Sequence, residues 1–512
     1  MLLHRLALTS GAVGAEPARN AKVALLAEFL RGLGPEDLPA AVALLSGESR
    51  RMRVGAGPAA LRDLPGPAGV PTLGIRGAEE ELARIAAVHG PGAQHERRRL
   101  LRGLFARATA EEQGFLRAVL VGELRQGALD AVMADAVARA AGAPAPLVRR
   151  ALMFRGSARV VAAAALTGGA EALRGFGLEV GRPVRPMLAA AAPDVAAALE
   201  RTGPAALEWK LDGIRVQVHR DGDDIAVFTR SLDDITGRVP EVVEAARVLP
   251  LRTAVLDGEA LALDPGGRPR PFQVTAARTA SRQDPERLRV DVPLHVFFFD
   301  LLHRDGEDLL DLPGEHRWTA LDAILPPVLR VPRTVTGDTD QAHAFFRDAL
   351  AHGHEGVMVK DPSAPYAAGR RGAGWIKVKP RHTLDLVVLA AEWGHGRRRG
   401  RLSNLHLAAR GSGEEAAEQW VMLGKTFKGL TDEMLAWQTR ELLAREVRRS
   451  SYVVHVRPEL VVEVAFDGLQ RSPRYPAGLA LRFARVLRYR DDKGPEQADT
   501  VATVRELAAE GL

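Results

Sequence analysis

The chain has 512 residues, 46% hydrophobic and 26% charged, which is ordinary for a folded protein and excludes a wholly disordered one. At roughly 150 residues per domain, three domains are expected. The net charge of +6 favours a polyanionic partner without requiring one, and the absence of cysteine excludes disulfides, thiolate zinc sites and cysteine nucleophiles.

In chain order, residues 1–180 read as helical. Alanine, leucine and arginine dominate, and apolar residues recur at spacings of three and four, as in Ala21 to Leu33, Leu116 to Leu129 and Ala131 to Ala141. The apolar start, Leu6-Ala7-Leu8, is too short for a signal peptide, and no run approaches the roughly 20 apolar residues of a membrane span. A cytoplasmic protein without membrane contact is expected. Glycine and proline clusters at Gly55 to Pro58, Pro65 to Pro71 and Gly90 to Gly92 break the helices into packets. Gly181 to Pro186 cannot be helix interior and reads as a linker.

Beyond it come strand patterns at Leu207 to Arg220, Ile225 to Arg230, Thr253 to Leu263, Leu294 to Leu302, Gly356 to Lys360 and Trp375 to Lys379. Helical stretches such as Pro240 to Val248 and Asp340 to Ala351 lie between them. An α+β domain over 181–380 is indicated. From Arg381 onward, Leu384 to Ala391, Leu402 to Ala409, Gln419 to Leu423 and Glu459 to Phe466 read as strands, interrupted by a helix over about Thr431 to Val447. Five or so strands and one helix fit a small barrel of the oligonucleotide-binding type over 381–512.

The chemistry concentrates in Glu208-Trp209-Lys210-Leu211-Asp212-Gly213-Ile214-Arg215. As a strand, this segment would put Glu208, Lys210 and Asp212 on one face. A lysine between two carboxylates is ordinarily a cation in an ion pair. To act as a nucleophile it must be neutral, which calls for further positive charge nearby. Lys377 and Lys379, on one face of a second strand, could share a phosphate or form a solvated strand edge. Asp257, Glu259 and Glu355 lie at strand positions where carboxylates either serve structure or face a hard cation such as Mg²⁺. Phe299, taken by itself, reads as a core ring.

Taken together and in order, these elements resemble the ATP-dependent DNA ligases of the lysine-nucleotidyltransferase superfamily. Lys210, Asp212, Gly213 and Arg215 match Lys-x-Asp-Gly-x-Arg. Phe228 to Ser231, Asp257 to Glu259, Phe297 to Leu302, Glu355 to Lys360, Tyr366 to Arg371 and Trp375 to Lys379 follow in the family's order. Leu481 to Arg485 and Arg490 to Lys493 resemble its terminal motif. Two departures stand out: Ala484 where the family often has proline, and His316-Arg317 where it commonly has paired arginines. Gly122 to Gly127, and more loosely Ser46 to Glu48, resemble turns of the helical DNA-binding domain found in larger ligases. The arginine-rich loop Gly396 to Arg401 is a further candidate phosphate contact or a solvated loop.

The resemblance implies a helical DNA-binding domain (1–180), an α+β adenylation domain (181–380) and a C-terminal OB-fold barrel (381–512). It implies that Lys210 takes AMP from ATP, that Glu208 contacts adenine, that Phe299 stacks on it, and that Arg215 and Glu259 hold the ribose side. Arg230, Arg371, Lys377 and Lys379 would contact phosphates. Glu259 and Glu355 would be ligands of Mg²⁺ or Mn²⁺. Arg482, Arg485, Arg490, Asp492 and Lys493 would act in the first step. The expected partner is nicked double-stranded DNA, sealed by a monomer in repair, replication or recombination. An RNA ligase or capping enzyme would share the lysine chemistry but not the long helical region. An NAD-dependent DNA ligase needs a cysteine zinc module that this chain cannot form. An inert DNA-binding scaffold would have no need for every reactive position to be filled.

Overall fold

The computed structural model describes the chain apart from residues 49–60, 62, 123, 125–128, 282, 368–370, 381, 396–397, 416 and 510–512, and apart from the side chains of 129, 371–373, 414 and 509. The contacts divide it into two compact units. One comprises Met1–Ala190, Thr202–Gly337 and Val359–Ile376. The other comprises Ala191–Arg201, Asp338–Met358 and Lys377–Leu512.

The first unit opens with helices α1 (Leu3–Ala15), α2 (Arg19–Arg31), α3 (Leu38–Ser46), α4 (Ile75–Ala86), α5 (Ala93–Ala106), α6 (Ala110–Val121), α7 (Leu129–Ala141), α8 (Ala145–Arg155) and α9 (Ala158–Arg174). Their apolar faces bury one continuous core that includes Leu6, Leu30, Leu44, Phe105, Leu116 and Val161. The single helix expected over 116–129 is divided. Gly122 adopts φ 73° at the end of α6, a left-handed turn that glycine enters without steric cost, and α7 begins at Leu129. Thr109 and Glu112 cap the start of α6 reciprocally. Glu48, in one of the candidate DNA-contacting turns, accepts from the Ser157 hydroxyl (3.1 Å) and the Ala158 N–H at the start of α9. The other candidate turn lies mostly outside the described residues, as do Gly396 and Arg397 of the arginine-rich loop.

Two five-stranded sheets follow. One has the order β4 (Asp224–Thr229), β3 (Ile214–Asp221), β5 (Thr253–Ala262), β6 (Leu294–Arg304) and β7 (Glu307–Asp308), all antiparallel. The other has the order β1 (Leu188–Ala191), β10 (Arg371–Val378), β9 (Val357–Lys360), β2 (Ala205–Trp209) and β8 (Arg333–Thr336). Alternating residues of the first sheet, among them Val216, Val218, Leu256 and Phe298, build its core.

The expected linker at 181–186 is stitched to β3. Gly181 N–H donates to His219 Nδ1 (3.0 Å), Val184 N–H donates to the Gln217 side-chain oxygen Oε1 (2.7 Å), and Gln217 Nε2 donates back to the Val184 carbonyl (3.2 Å). The helical region also touches the sheet region directly. Arg150 on α8 grips the Asp311 carboxylate through two N–H groups, at 2.7 and 2.6 Å.

The second unit is richer in strands than expected. β11 (His382–Trp393) pairs with β12 (Leu402–Arg410) along one edge. Along the other it pairs with β15 (Val453–Val456) and β16 (Val461–Phe466) in turn. β13 (Trp420–Thr426), β14 (Glu446–Arg449) and β19 (Arg485–Tyr489) extend this sheet, and β17 (Gly468–Arg471) pairs with β18 (Leu479–Arg482). Register shifts at Val388/Ala390 and Glu392/Trp393 curl β11 around the core. The expected helix spans Asp432–Ala444, capped by the Thr431 hydroxyl.

His219 gives the stitched segment a pH dependence. Burial pushes its pKa down to about 4, with the neighbouring His303 adding to the fall. Nδ1 accepts from Gly181, so the ring that fits is neutral with its proton on Nε2, directed at the Gln217 oxygen 2.9 Å away. As pH falls from about 6.5 towards 4, the unfolded chain binds the proton first, and stability is lost across that window. Urea midpoints measured from pH 7 to pH 4 should therefore fall more steeply for the wild type than for His219→Gln.

Candidate functional site

The Lys210 segment departs from the expected strand. β2 ends at Trp209, and residues 210–213 cross to β3. Gly213 explains the break. A Cβ there would sit 2.4 Å from the Ala260 carbonyl oxygen, so the backbone can press onto β5 only as glycine. From that position the Gly213 N–H donates to Glu259 Oε1 (3.2 Å). Leu211 is anchored with Leu261 and Val331 in a small apolar cluster against which Trp209, Phe297 and Phe299 pack. Lys210 is thus held between two anchored neighbours rather than on a strand face. Burial pushes the Glu259 carboxyl up to about 7, and Asp257 adds to the rise. The nearby cations of Lys210 and Arg215 and the Gly213 N–H oppose it.

Arg215, next on β3, sits in a buried network. Nε and Nη2 grip Asp257 at 3.0 and 2.6 Å, Nη1 donates to the Met187 carbonyl (2.6 Å), and Nη2 also reaches the Tyr366 hydroxyl (3.2 Å). That hydroxyl donates to Asp257 (2.7 Å) and accepts from Met187 N–H (3.0 Å). Asp257 is 1% exposed. Burial raises the Tyr366 phenol well above its usual range and the Asp257 charge adds to the rise, while for Arg215 burial acts against the charge and Asp257 more than offsets it, which holds the guanidinium protonated. The Arg215 guanidinium lies over the faces of Phe299 and Trp375, 5.5 and 5.3 Å from the ring centres.

Glu208, the last buried residue of β2, binds two cations. Arg333 Nε donates to Oε1 (2.8 Å), and Lys360 forms an ion pair with Oε2. Phe299 is half-buried on β6, with Trp375 edge-on at 5.9 Å. The same strand carries Asp300, which is fully buried and gripped by the equally buried Arg317 at 2.8 and 3.0 Å. Of the His316-Arg317 pair, Arg317 is therefore the structural member, and the departure from paired arginines falls on exposed His316.

The remaining expected residues are placed as follows. Arg230 is exposed in the turn after β4, where Leu232 adopts φ 67°. The side chain of Arg371 lies outside the described residues. In the second unit, Lys377 is half-buried, and Lys379 donates to Glu355 (2.6 Å) with Asp467 at 3.8 Å. The terminal motif is tied to its own sheet. Arg490 grips Asp385 on β11 at 3.1 and 2.9 Å and Asp492 at 2.8 and 2.6 Å, and Lys493 donates to Asp385 (2.6 Å). Arg485 is exposed, and Arg482 lies over the ring of Phe483, itself 59% exposed.

Lys360, Arg333 and Tyr366 have no role assigned from sequence, and Arg317 stands out there only as part of the departure from paired arginines. Lys360 and Tyr366 fall inside recognised elements, which was a usable signal. Arg333 and Arg317 acquire their roles from partners 125 and 17 residues away.

Three family descriptions match the chain: "ATP dependent DNA ligase domain" over 186–379, "ATP dependent DNA ligase C terminal region" over 398–493 and "DNA ligase N terminus" over 65–138. A "Probable DNA ligase" of Beutenbergia cavernae is 58% identical over 517 residues, covering 99% of this chain and all of that protein. One from Mycobacterium marinum is 56% identical over 515 residues, with coverage of 99% and 100%. A solved structure described as "Pmar-Lig_PreS3" shares the fold at TM-score 0.59 and 18% identity, covering 96% of this chain and 99% of that one.

The Arg215 network sets an expected cost. Tyr366→Phe leaves buried Asp257 and the Met187 N–H each short of a partner. It should destabilise the chain by about 1–3 kcal/mol, measured by urea denaturation.

Proposed function

The chain belongs to the ATP-dependent DNA ligases, enzymes that use ATP to seal nicks in DNA, and from that premise we propose that Lys210 is the residue that carries the AMP. The observation that supports this reading is the placement of Lys210 on the crossing from β2 to β3, between the anchored side chains of Trp209 and Leu211 and near the buried carboxyl of Glu259. The neutral amine attacks the α-phosphorus of ATP, the bond to the β-phosphate oxygen breaks, and pyrophosphate leaves. AMP passes from Lys210 to the 5′-phosphate of the nick. The 3′-hydroxyl then displaces AMP and closes the strand. Each step is phosphoryl transfer, so the chain contributes position and charge.

In this proposal Glu208 and Phe299 receive adenine, Arg215 and Glu259 lie on the ribose side, and Arg230, Arg371, Lys377 and Lys379 meet phosphates. Among the described residues, no three acidic or imidazole side chains cluster as a metal cage. A divalent cation fits as the companion of ATP's own phosphates, with Glu259 and Glu355 as its protein ligands. When bound, Mg²⁺ or Mn²⁺ would neutralise phosphate charge. We assign residues 1–180, 181–380 and 381–512 to DNA binding, adenylation and an OB-fold barrel, in a cytoplasmic monomer. No described helix is long and apolar enough to cross a membrane.

Two experiments test the assignment. Lys210→Ala should take up no covalent AMP from labelled ATP; a labelled adduct on that variant would move the nucleophile elsewhere. For the terminal motif, the double variant Arg490→Ala, Lys493→Ala should fail to adenylylate itself yet still seal a nick supplied already adenylylated. If these cations serve only to neutralise Asp385, both substrates should be sealed equally poorly.

A further inference from the structure

Lys360 is 1% exposed and lies at the end of β9, beside both groups proposed to meet adenine. Its ammonium pairs with Glu208, itself 2% exposed, and donates to the Phe299 carbonyl oxygen at 3.2 Å. Three aromatic faces enclose it: Trp375, Phe299 and Trp318, with ring centres at 4.4, 4.7 and 5.7 Å. On the far oxygen of Glu208, Arg333 donates at 2.8 Å, and that guanidinium is in turn braced by Asp322 (3.2 Å) and the face of Trp318 (5.1 Å). One carboxylate therefore has two cations on it in a site almost without water.

A guanidinium and an ammonium can only donate, so with one on each oxygen the Glu208 carboxylate has nothing left to offer but acceptor lone pairs, fixed in direction. Such a group accepts from an exocyclic amine and repels a carbonyl oxygen. At the 6-position of a purine, that is the difference between adenine and hypoxanthine or guanine.

We propose that Lys360, with Arg333 behind it, is a positioning residue for base selection: it fixes Glu208 as an acceptor and Phe299 as a platform, so the pocket takes a 6-amino purine and refuses a 6-oxo purine. This rests on the reading of Glu208 and Phe299 as the adenine contacts. A buried ion pair serving only stability would leave the choice of base unchanged.

The test is the ratio of kcat/KM for ATP over inosine triphosphate in covalent nucleotidylation of the full chain. Inosine triphosphate replaces the 6-amino group by a carbonyl, with a proton on the adjacent ring nitrogen. Lys360→Met and Arg333→Met should each lower the ratio by at least about tenfold, the scale expected when a buried polar contact is mispaired. Lys360→Arg should recover part of it, and Glu208→Gln should lower it as well. Retention of the wild-type ratio by Lys360→Met and Arg333→Met, with loss in Glu208→Gln, overturns the positioning role and leaves the adenine reading intact. Retention by Glu208→Gln overturns both. Should Lys360→Met fail to fold, Arg333→Met decides alone.

Discussion

The buried carboxylate of Asp257 is the constraint around which the first unit is arranged. A charge almost wholly removed from water persists only with partners of good geometry, and removing one of them typically costs several kcal/mol. Asp257 draws those partners from three places: Arg215 across the β3–β5 pair, Tyr366 after β9, and, through both of these, the backbone of Met187 ahead of β1. The two sheets are thereby joined by one polar knot, and Lys210 sits on the strand crossing that enters it.

Two further buried carboxylates repeat this arrangement along β2 and β6. Asp300 is closed off by Arg317, and Glu208 by Lys360 and Arg333. Each stands beside a residue of the proposed site. Asp300 follows Phe299, and Glu208 stands two residues before Lys210. Rigid charge pairs of this kind hold neighbouring dipoles oriented before any ligand arrives, the condition under which electrostatic catalysis is strongest. In the second unit, Asp385 gathers Arg490 and Lys493 in the same manner, so those cations are already neutralised by a carboxylate of their own sheet.

The order of elements was legible because it is written in local pattern: helical spacing before residue 180, alternation beyond it, and short motifs in sequence. The break at Lys210 was not. Residues 207–215 alternate as a strand would, and only the approach of Gly213 to the Ala260 carbonyl, 47 positions along, interrupts them. Gly181 to Pro186 reads as a linker by composition, yet the buried side chains of Gln217 and His219 hold it down. The partners of Glu208 lie 125 and 152 residues away, and no periodicity connects such positions. Motif residues could thus be picked out from sequence, whereas the groups that hold them emerged only with the tertiary structure.

The same knot has a consequence for biosynthesis. Asp257 and Tyr366 are 109 residues apart. At about 5–20 residues per second, Asp257 waits on the order of 5 to 20 seconds on the ribosome before its second side-chain partner is made. β3 and β4 exist when the interval opens and β6 is completed within it, so the Arg215–Asp257 pair can form, but Tyr366 cannot yet close it. Arg333 and Lys360, too, have not been made for most of that time, so Glu208 has neither of the cations that answer its charge. The buried charge clusters around Asp257 and Glu208 are accordingly late products of synthesis.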